Sequence, residues 1–359
     1  MNKVIYDNII FSLQKFGGIS TYWYELLSRL INDKEFEASF IINNDSENVF
    51  YDELKIGTDK IIGPSKLPIL IDRFNNLNIK NNNKEQFIFH SSYYRYSINK
   101  EALNVITIHD LIHHKFYSGT RKLLHNYQKN NSLKHSDAII TVSENTKNDL
   151  LNYYPNIDSK NVFVIYNGVS DGFFKINDKE YNYNLDNKVI RKNYLLYISS
   201  REPYKNFNFV INVLEKLPDF NLYIVGPLLT KKEIANLNIK IPERWQIFTS
   251  ISSTILNELY NNAHALIFAS SYEGFGIPLL EAMKASCPFV ALNTSSIPEV
   301  AGKAGLLVDE LNINDFVNMI LKINSQRETL LQLGQSQAAK FSWDKCYQET
   351  SNLYKNLLR

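Results

Sequence analysis

Short apolar runs and polar punctuation alternate along the whole chain. In the first half Lys3–Tyr6, Ser39–Ile42, Phe87–Phe89, Val105–Ile108, Ala138–Val142 and Val162–Tyr166 have the length and composition of buried strands. Between them, hydrophobic residues recur at helical spacing. Tyr22, Leu26, Leu27 and Leu30 do so after the first run, and Leu123, Leu124, Tyr127 and Leu133 within Thr120–His135. The second half repeats the scheme, with strands expected at Tyr194–Ile198, Leu222–Val225, Trp245–Phe248, Ala265–Ala269, Phe289–Leu292 and Leu306–Val308. Helices are expected around Phe209, Val210 and Val213, through Tyr260 and Asn261, and along Leu279, Leu280, Ala282 and Met283. Ser20 or Thr21, Ser143, and Ser253 or Thr254 are the expected helix caps. This alternation predicts an α/β chain with mostly parallel sheets covered by helices on both faces.

A chain of 359 residues, 44% of them hydrophobic, is long enough for two domains with separate cores. Gly172–Lys192 is polar and reads as the linker, and the asparagine-rich stretch Asn75–Gln86 as a loop. The net charge of +2 implies no polyanion attraction, so nucleic acid is not an expected partner. Two cysteines, Cys287 and Cys346, make no disulfide framework and suit a reducing cytoplasm. No signal peptide is expected from the first residues, and no apolar run approaches a membrane span. Thr120–His135 carries Arg121, Lys122, Lys129 and Lys134; it reads either as a face for anionic lipid or as an ordinary surface helix.

The candidate chemistry centres on Ser270–Cys287. Gly274 and Gly276 let the backbone turn sharply after a strand, and Pro278 suits the first position of a helix. Unpaired N–H groups at that helix start can receive a phosphate. Glu273 is placed in the loop and Glu281 in the first helical turn, two carboxylates for ligand hydroxyls. Arg201 and Lys205 stand four apart beyond a strand end, as a diphosphate pair or as solvated cations; spacing alone does not separate the two. Gly17-Gly18 fits a phosphate loop or a plain tight turn. His109 follows a strand's carboxyl end, where parallel sheets collect ligands.

Glu273, seven intervening residues and Glu281, enclosing Gly274-Phe275-Gly276-Ile277-Pro278, resemble the E-x7-E signature of the family-four retaining glycosyltransferases. Arg201/Lys205, Gly17-Gly18, His109 and the Asn167-Gly168-Val169 landmark match further marks of that family. The resemblance implies the GT-B fold, two Rossmann-like doubly wound parallel-sheet domains facing across a cleft. It implies an acceptor-side domain over 1–171, a nucleotide-sugar-binding domain over 172–340, and a final helix over 341–359 that packs back on the first. It also implies roles. Arg201 and Lys205 hold the donor diphosphate, Glu281 the ribose, and Glu273 and His109 the donor sugar. Gly17, Gly18, Gly274, Phe275, Gly276, Ile277 and Pro278 line the donor.

The expected activity is metal-independent, retaining transfer of a hexose from a nucleotide sugar to a glycan or polyprenyl-linked acceptor in surface-polysaccharide synthesis. No cofactor is expected, and no Asp lies two residues from another in a metal-binding triplet. The Phe16–Trp23 stretch resembles bacterial mannosyltransferases, so GDP-mannose is the first expectation. The expected place is the cytoplasm, at the inner face of the plasma membrane if the basic helix meets lipid. A nucleotide-sugar 2-epimerase or hydrolase on the same fold, a dinucleotide-dependent oxidoreductase and a non-catalytic assembly protein are the alternatives. Tyr93, Tyr94, Tyr96, Phe116 and Tyr117 lie where an acceptor is read, as sugar-stacking rings or as core.

Overall fold

The computed structural model describes residues 1–15, 17–43, 48–65, 67–79, 84–176, 184–185, 188–189 and 193–359. Phe16, residues 80–83 of the polar loop, most of the linker and the Arg121 side chain lie outside that description. The chain divides into two compact units, Met1–Gly168 with Trp343–Arg359, and Val169–Ser342.

The first unit is built on seven parallel strands: β1 (Asn2–Asp7), β2 (Phe36–Asn43), β3 (Ile61–Ser65), β4 (Phe87–Ser91), β5 (Ala102–Ile108), β6 (Ala138–Thr141) and β7 (Val162–Val164). Their order, β3-β2-β1-β4-β5-β6-β7, reverses direction between β1 and β4. Such a switch point opens a crevice at the strands' carboxyl ends. β3 is a strand the sequence hides. It contains Gly63 and Pro64 and sits at the sheet's edge, where a missing backbone N–H is tolerated. Ile5, Phe87 and Phe89 form one part of the core; Ile106, Ile108, Leu133, Ile139 and Leu150 form another.

The final helix, Trp343–Leu357, belongs to this unit. It buries Trp343, Cys346, Leu353 and Tyr354. It is fastened to the helix Gly18–Leu30 and the turn after it: Arg29 Nε donates to Asp344 at 2.7 Å, and Tyr347 Oη to Asp33 at 2.6 Å.

A short antiparallel pair, β8 (Asn184–Leu185) with β9 (Lys188–Val189), precedes the second sheet. That sheet has six parallel strands: β10 (Tyr194–Ile198), β11 (Asn221–Val225), β12 (Trp245–Phe248), β13 (Ala265–Phe268), β14 (Phe289–Leu292) and β15 (Leu306–Val308). The order β12-β11-β10-β13-β14-β15 places the switch point between β10 and β13. Leu195, Ile224, Ile267 and Val290 meet Val210, Val213, Phe316 and Ile320 in its core. Both architectures are the doubly wound α/β kind that the alternating pattern predicts.

Several local expectations change. The helix Gly18–Leu30 is entered from Gly17 with no side-chain cap; the Ser20 and Thr21 hydroxyls donate instead to the Gly17 carbonyl. Ser252, not Ser253 or Thr254, caps Ser253–Asn262, while Ser143 caps Glu144–Tyr153 as expected. The helices outside the expected set include Lys231–Lys240 and the long Ile313–Ala338.

The basic helix is corrected more strongly. It runs Gly119–Lys134, and Lys129 is fully buried, its Nζ donating to the Asp110 carbonyl at 3.0 Å. Lys129 therefore cannot face lipid. His125, Gln128 and Ser132 are buried beside it, whereas Leu123, Leu124 and Tyr127 are exposed. The helix thus turns these polar residues inward and Leu123, Leu124 and Tyr127 outward, with Leu133 buried near its end. Among the aromatics, Tyr96 is core and stacks on His135, while Phe116 is exposed. Among the described residues no helix is long and apolar enough to cross a membrane.

Candidate active site

In the second unit, the loops that leave β10, β11, β13 and β14 are tied together at the sheet's carboxyl edge. After β10 the chain makes a short turn, Pro203–Lys205, before the helix Phe207–Glu215. Asn206, in the left-handed region at φ 55°, joins that turn to the loop after β13. Its Nδ2 donates to the Ala269 carbonyl and to Ser271 Oγ, each at 2.7 Å.

The two candidate cations are each matched with a carboxylate. Lys205 Nζ donates to Glu273 Oε1 at 2.6 Å. Arg201 Nε donates to Glu233 Oε1 at 2.9 Å, and Nη2 to the Leu228 carbonyl at 2.7 Å. Arg201 Nη1 is buried with no hydrogen-bond partner. The Arg201 backbone takes φ 62°, held by its N–H donating to Ser199 Oγ. Gly226, at the end of β11, lies under this arginine; a Cβ there would meet the Ser199 carbonyl at 2.3 Å and Arg201 Nη1 at 3.2 Å. Close approach, then, requires glycine at this position.

The Glu273 loop is held from the β14 side. Its N–H donates to Ser295 Oγ at 2.9 Å, and Ser296 Oγ donates to the Glu273 and Phe275 carbonyls at 3.0 and 2.9 Å. Gly276, at φ 104°, makes the left-handed step into the helix Ile277–Lys284, with Pro278 at its start. Glu281 is the fifth residue of that helix. It therefore lies in the second turn, not the first as the sequence suggested, because the helix opens at Ile277 and the glycine step precedes it. The Glu281 carboxylate accepts from Tyr260 Oη at 2.8 Å. Burial pushes its pKa up to about 7, against the lowering effect of the tyrosine bond. Three bonded groups therefore line these loops: Arg201 with Glu233, Lys205 with Glu273 and the serines after β14, and Glu281 with Tyr260.

Glu233, Tyr260, Ser295, Ser296 and Gly226 are additions to the expected residues. Thr230-Lys231-Lys232-Glu233 has the spacing of a capping box, which the structure contains, so Glu233 had a readable signal. Tyr260 had none, since an aromatic on a core-facing helix stripe reads as packing.

Gly17, Gly18 and His109 belong to the first unit. Gly17 is extended at φ 166°, and a Cβ on it would press on Gln14 Oε1 at 2.9 Å. His109, after β5, meets the edge of Tyr22 from the helix Gly18–Leu30 at 4.9 Å between ring centres. Its Nε2 is buried with no hydrogen-bond partner. Burial lowers its pKa to about 4, with Lys129 adding to the effect and Asp110 opposing it. His90, one strand away, is different: Tyr354 Oη and Thr107 Oγ1 occupy both ring nitrogens, so it is a structural histidine.

Residues 16–173 match the model of Glycosyltransferase Family 4, and residues 184–340 match that of Glycosyl transferases group 1. The chain belongs to this glycosyltransferase family. Among its relatives is the O-antigen chain mannosyltransferase B of Escherichia coli, 33% identical over 46% of this chain and 46% of that one. The O-antigen chain mannosyltransferase RfbU of Salmonella typhimurium is 27% identical over 69% of this chain and 68% of its own length. An uncharacterized glycosyltransferase of Methanocaldococcus jannaschii is 29% identical over 62% and 60%. The match to the first of these relatives thus spans about half of its length. In three dimensions the chain resembles Anabaena Alr3699/HepE in complex with UDP-glucose, with a TM-score of 0.75, 14% identity and 99% of each chain covered. A glycosyltransferase from Rickettsia africae gives a TM-score of 0.68 at 18% identity, covering 100% of this chain and 99% of that one. At such identities the likeness is one of fold, and that fold is GT-B.

Proposed function

We propose that this chain transfers a hexose, with retention, from a nucleotide sugar to a glycan or polyprenyl-linked acceptor hydroxyl during surface-polysaccharide synthesis. The observation that carries the reading is the Lys205–Glu273 pair, which joins the loop after β10, where Arg201 also lies, to the loop that leads through the glycine step into Ile277–Lys284. Backbone N–H groups at that helix start receive phosphate oxygens, and Arg201 Nη1 supplies a donor that no group of the described residues uses. Lys205 leaves Glu273 for the diphosphate. Glu273 then faces the sugar, and Glu281 holds the ribose hydroxyls.

The bond that breaks joins the anomeric carbon to the diphosphate oxygen; the bond that forms joins that carbon to the acceptor oxygen. The leaving diphosphate carries more charge in the transition state than in the bound donor, so cations fixed beside it accelerate the step selectively. These two cations take the place of a metal, and turnover should survive EDTA. His109, in the first unit, is assigned to the donor sugar.

The mannosyltransferase relatives favour mannose, with GDP as the first nucleotide to test. Reaction at the inner face of the plasma membrane follows from a polyprenyl-linked acceptor and from the exposed Leu123, Leu124 and Tyr127. A thermal-shift screen over GDP-, UDP-, ADP- and dTDP-sugars tests the donor, since a ligand that binds the folded state alone raises its stability. Product analysis without acceptor then separates transferase from 2-epimerase and hydrolase. No stabilisation by any nucleotide sugar, with or without EDTA, would leave the assembly-protein alternative standing.

A further inference from the structure

Glu233 is shared between two tasks. Its Oε2 accepts from the Thr230 N–H at 2.6 Å and from Thr230 Oγ1 at 2.8 Å, while its own N–H donates to Thr230 Oγ1 at 3.3 Å. That is a complete capping box at the start of Lys231–Lys240. Its other oxygen, Oε1, takes Arg201 Nε. A helix cap alone requires only one of these oxygens.

The arginine's surroundings give the second oxygen a purpose. The Arg201 side chain is 5% exposed, and three of the residue's groups are fixed: the backbone N–H by Ser199, Nε by Glu233, and Nη2 by the Leu228 carbonyl. Only Nη1 is left without a partner, above Gly226. A guanidinium is planar, so pinning Nε and Nη2 fixes the direction of the Nη1 hydrogens. A buried donor without a partner is rare and asks for an acceptor. We infer that Glu233 is a positioning residue, one that orients Arg201 so that Nη1 meets the departing diphosphate of the donor. The inference rests on the reading of Arg201 given above.

This assignment has an electrostatic signature that a simple cap does not share. A carboxylate beside the phosphate-binding arginine opposes the binding of a ground-state anion. It is kept, on this reading, because orientation matters more when charge develops on the leaving group. Removing the charge should therefore slow turnover while leaving nucleoside diphosphate affinity equal or tighter.

Glu233→Gln separates the tasks, because an amide has one oxygen. That oxygen can serve the Thr230 N–H or Arg201 Nε, but not both. Thr230→Ala is the complementary change. It removes the hydroxyl half of the cap and leaves Glu233 free to hold Arg201. Three readouts decide: thermal unfolding, calorimetry with GDP and with UDP, and turnover of GDP-mannose and UDP-glucose. A fourth is independent of activity: the Arg201 Nε–H resonance in labelled protein, assigned by its loss in Arg201→Lys.

The expected result is a slowly exchanging Nε–H in the wild type and in Thr230→Ala, lost in Glu233→Gln. Turnover should fall about tenfold or more in Glu233→Gln, with unchanged or tighter nucleotide binding, and stay near wild type in Thr230→Ala. In an Arg201→Ala background, Glu233→Gln should add nothing, the non-additivity expected of two residues acting as one unit. A protected Nε–H that persists in Glu233→Gln while turnover falls overturns the inference, because Arg201 is then still held. So does an equal loss of turnover with and without Arg201. If Arg201→Ala itself changes neither turnover nor nucleotide affinity, the reading of the site fails first; if it does and Glu233→Gln does not, only the positioning role fails.

Discussion

Lys205 Nζ donates to Glu273 Oε1 at 2.6 Å, and both side chains are largely buried. On the proposed reading this pair is a resting contact that the donor exchanges for a phosphate–lysine contact. Removing either partner leaves the other charge uncompensated, so the two substitutions should not look alike. Lys205→Ala should weaken nucleoside diphosphate and cut turnover about a hundredfold, the order seen when one preorganised charge-stabilising donor is lost. Glu273→Gln should leave nucleoside diphosphate affinity intact or raise it, while slowing transfer, because the negative charge helps a sugar that becomes cationic. Calorimetry beside steady-state kinetics separates these outcomes. Matched losses of affinity in both variants would return the pair to a structural role.

On the proposed reading, Glu281 should make donor binding depend on pH. Its folded-state pKa is about 7, raised by burial above the ordinary carboxyl value. Between about pH 4.5 and 7 the folded protein therefore holds a proton that the unfolded chain does not. Stability contributed by that proton is full below about 4.5 and is lost as pH rises through 7, a span of about 3 kcal/mol at most. Binding a ribose by its ionised carboxylate reverses the preference, so nucleoside diphosphate should release a proton at pH 7. Calorimetry in two buffers of different ionisation enthalpy measures that release. Glu281→Gln should abolish its share, lower nucleotide affinity by about 1.5–3 kcal/mol at pH 8, and make the protein more stable there. Tyr260→Phe removes the hydrogen bond that holds the carboxylate, and should show a smaller loss of the same kind.

The alternation of runs carried most of the fold, because each buried strand is a short apolar block and parallel sheets bury both faces. β3 escaped because Gly63 and Pro64 interrupt it at a sheet edge. The helix Ile313–Ala338 escaped for another reason. Phe316, Ile320 and Ile323 do have helical spacing after the Asn312 cap, but only six of its residues are buried, so the stripe is thin against many polar positions. In the candidate site, Arg201, Lys205, Glu273 and Glu281 stood out by residue type and spacing, and the family resemblance supplied their expected roles. What spacing cannot give is pairing. That Lys205 takes Glu273, Arg201 takes Glu233 and Glu281 takes Tyr260 depends on which strands are neighbours. The order β11-β10-β13-β14 decides that. Lys129 shows the reverse error, a cation read as surface from its composition and buried by its helix's rotation.

The exposed side of Gly119–Lys134 changes how lipid binding should behave. A basic face would bind by charge and weaken steeply with salt. The exposed Leu123, Leu124 and Tyr127 instead offer apolar area, with Lys134 the exposed cation farther along. Binding to anionic vesicles should accordingly persist at 0.5 M salt and be lost in a Leu123→Ser, Leu124→Ser, Tyr127→Ser variant, whereas Lys129→Ala should act on stability. Vesicle flotation across a salt series is the measurement. A serine variant that floats like the wild type would remove this face from the membrane.

His109 should work as a neutral imidazole. Its pKa is lowered to about 4, first by burial and then by Lys129, and its Nε2 has no partner among the described residues. If it meets the donor sugar as proposed, at pH 7 it can therefore offer or accept one hydrogen bond to a sugar hydroxyl without adding a positive charge beside a sugar that itself becomes cationic. A protonated ring there would oppose the transition state. It follows that the pH profile of kcat/KM should contain no His109 ionisation between pH 6 and 8, and that His109→Gln, whose amide also donates and accepts, should retain more activity than His109→Ala. The difference should be about tenfold, near the 1–1.5 kcal/mol of one hydrogen bond.

Stability gives an independent reading of the same group. The unfolded chain takes up a proton near pH 6.5 that the folded protein refuses until about pH 4. The stability associated with a neutral His109 is thus full above about pH 6.5 and is lost as pH falls toward 4. His109→Gln should flatten part of the acid side of the stability curve; His90, also held below its ordinary value by burial, accounts for another part. Denaturant unfolding of the wild type and His109→Gln at pH 5 and 7 tests the sign. An activity profile with an acid limb near pH 6.5 that vanishes in His109→Gln would mean the ring titrates normally, and the neutral role assigned to it would have to be given up.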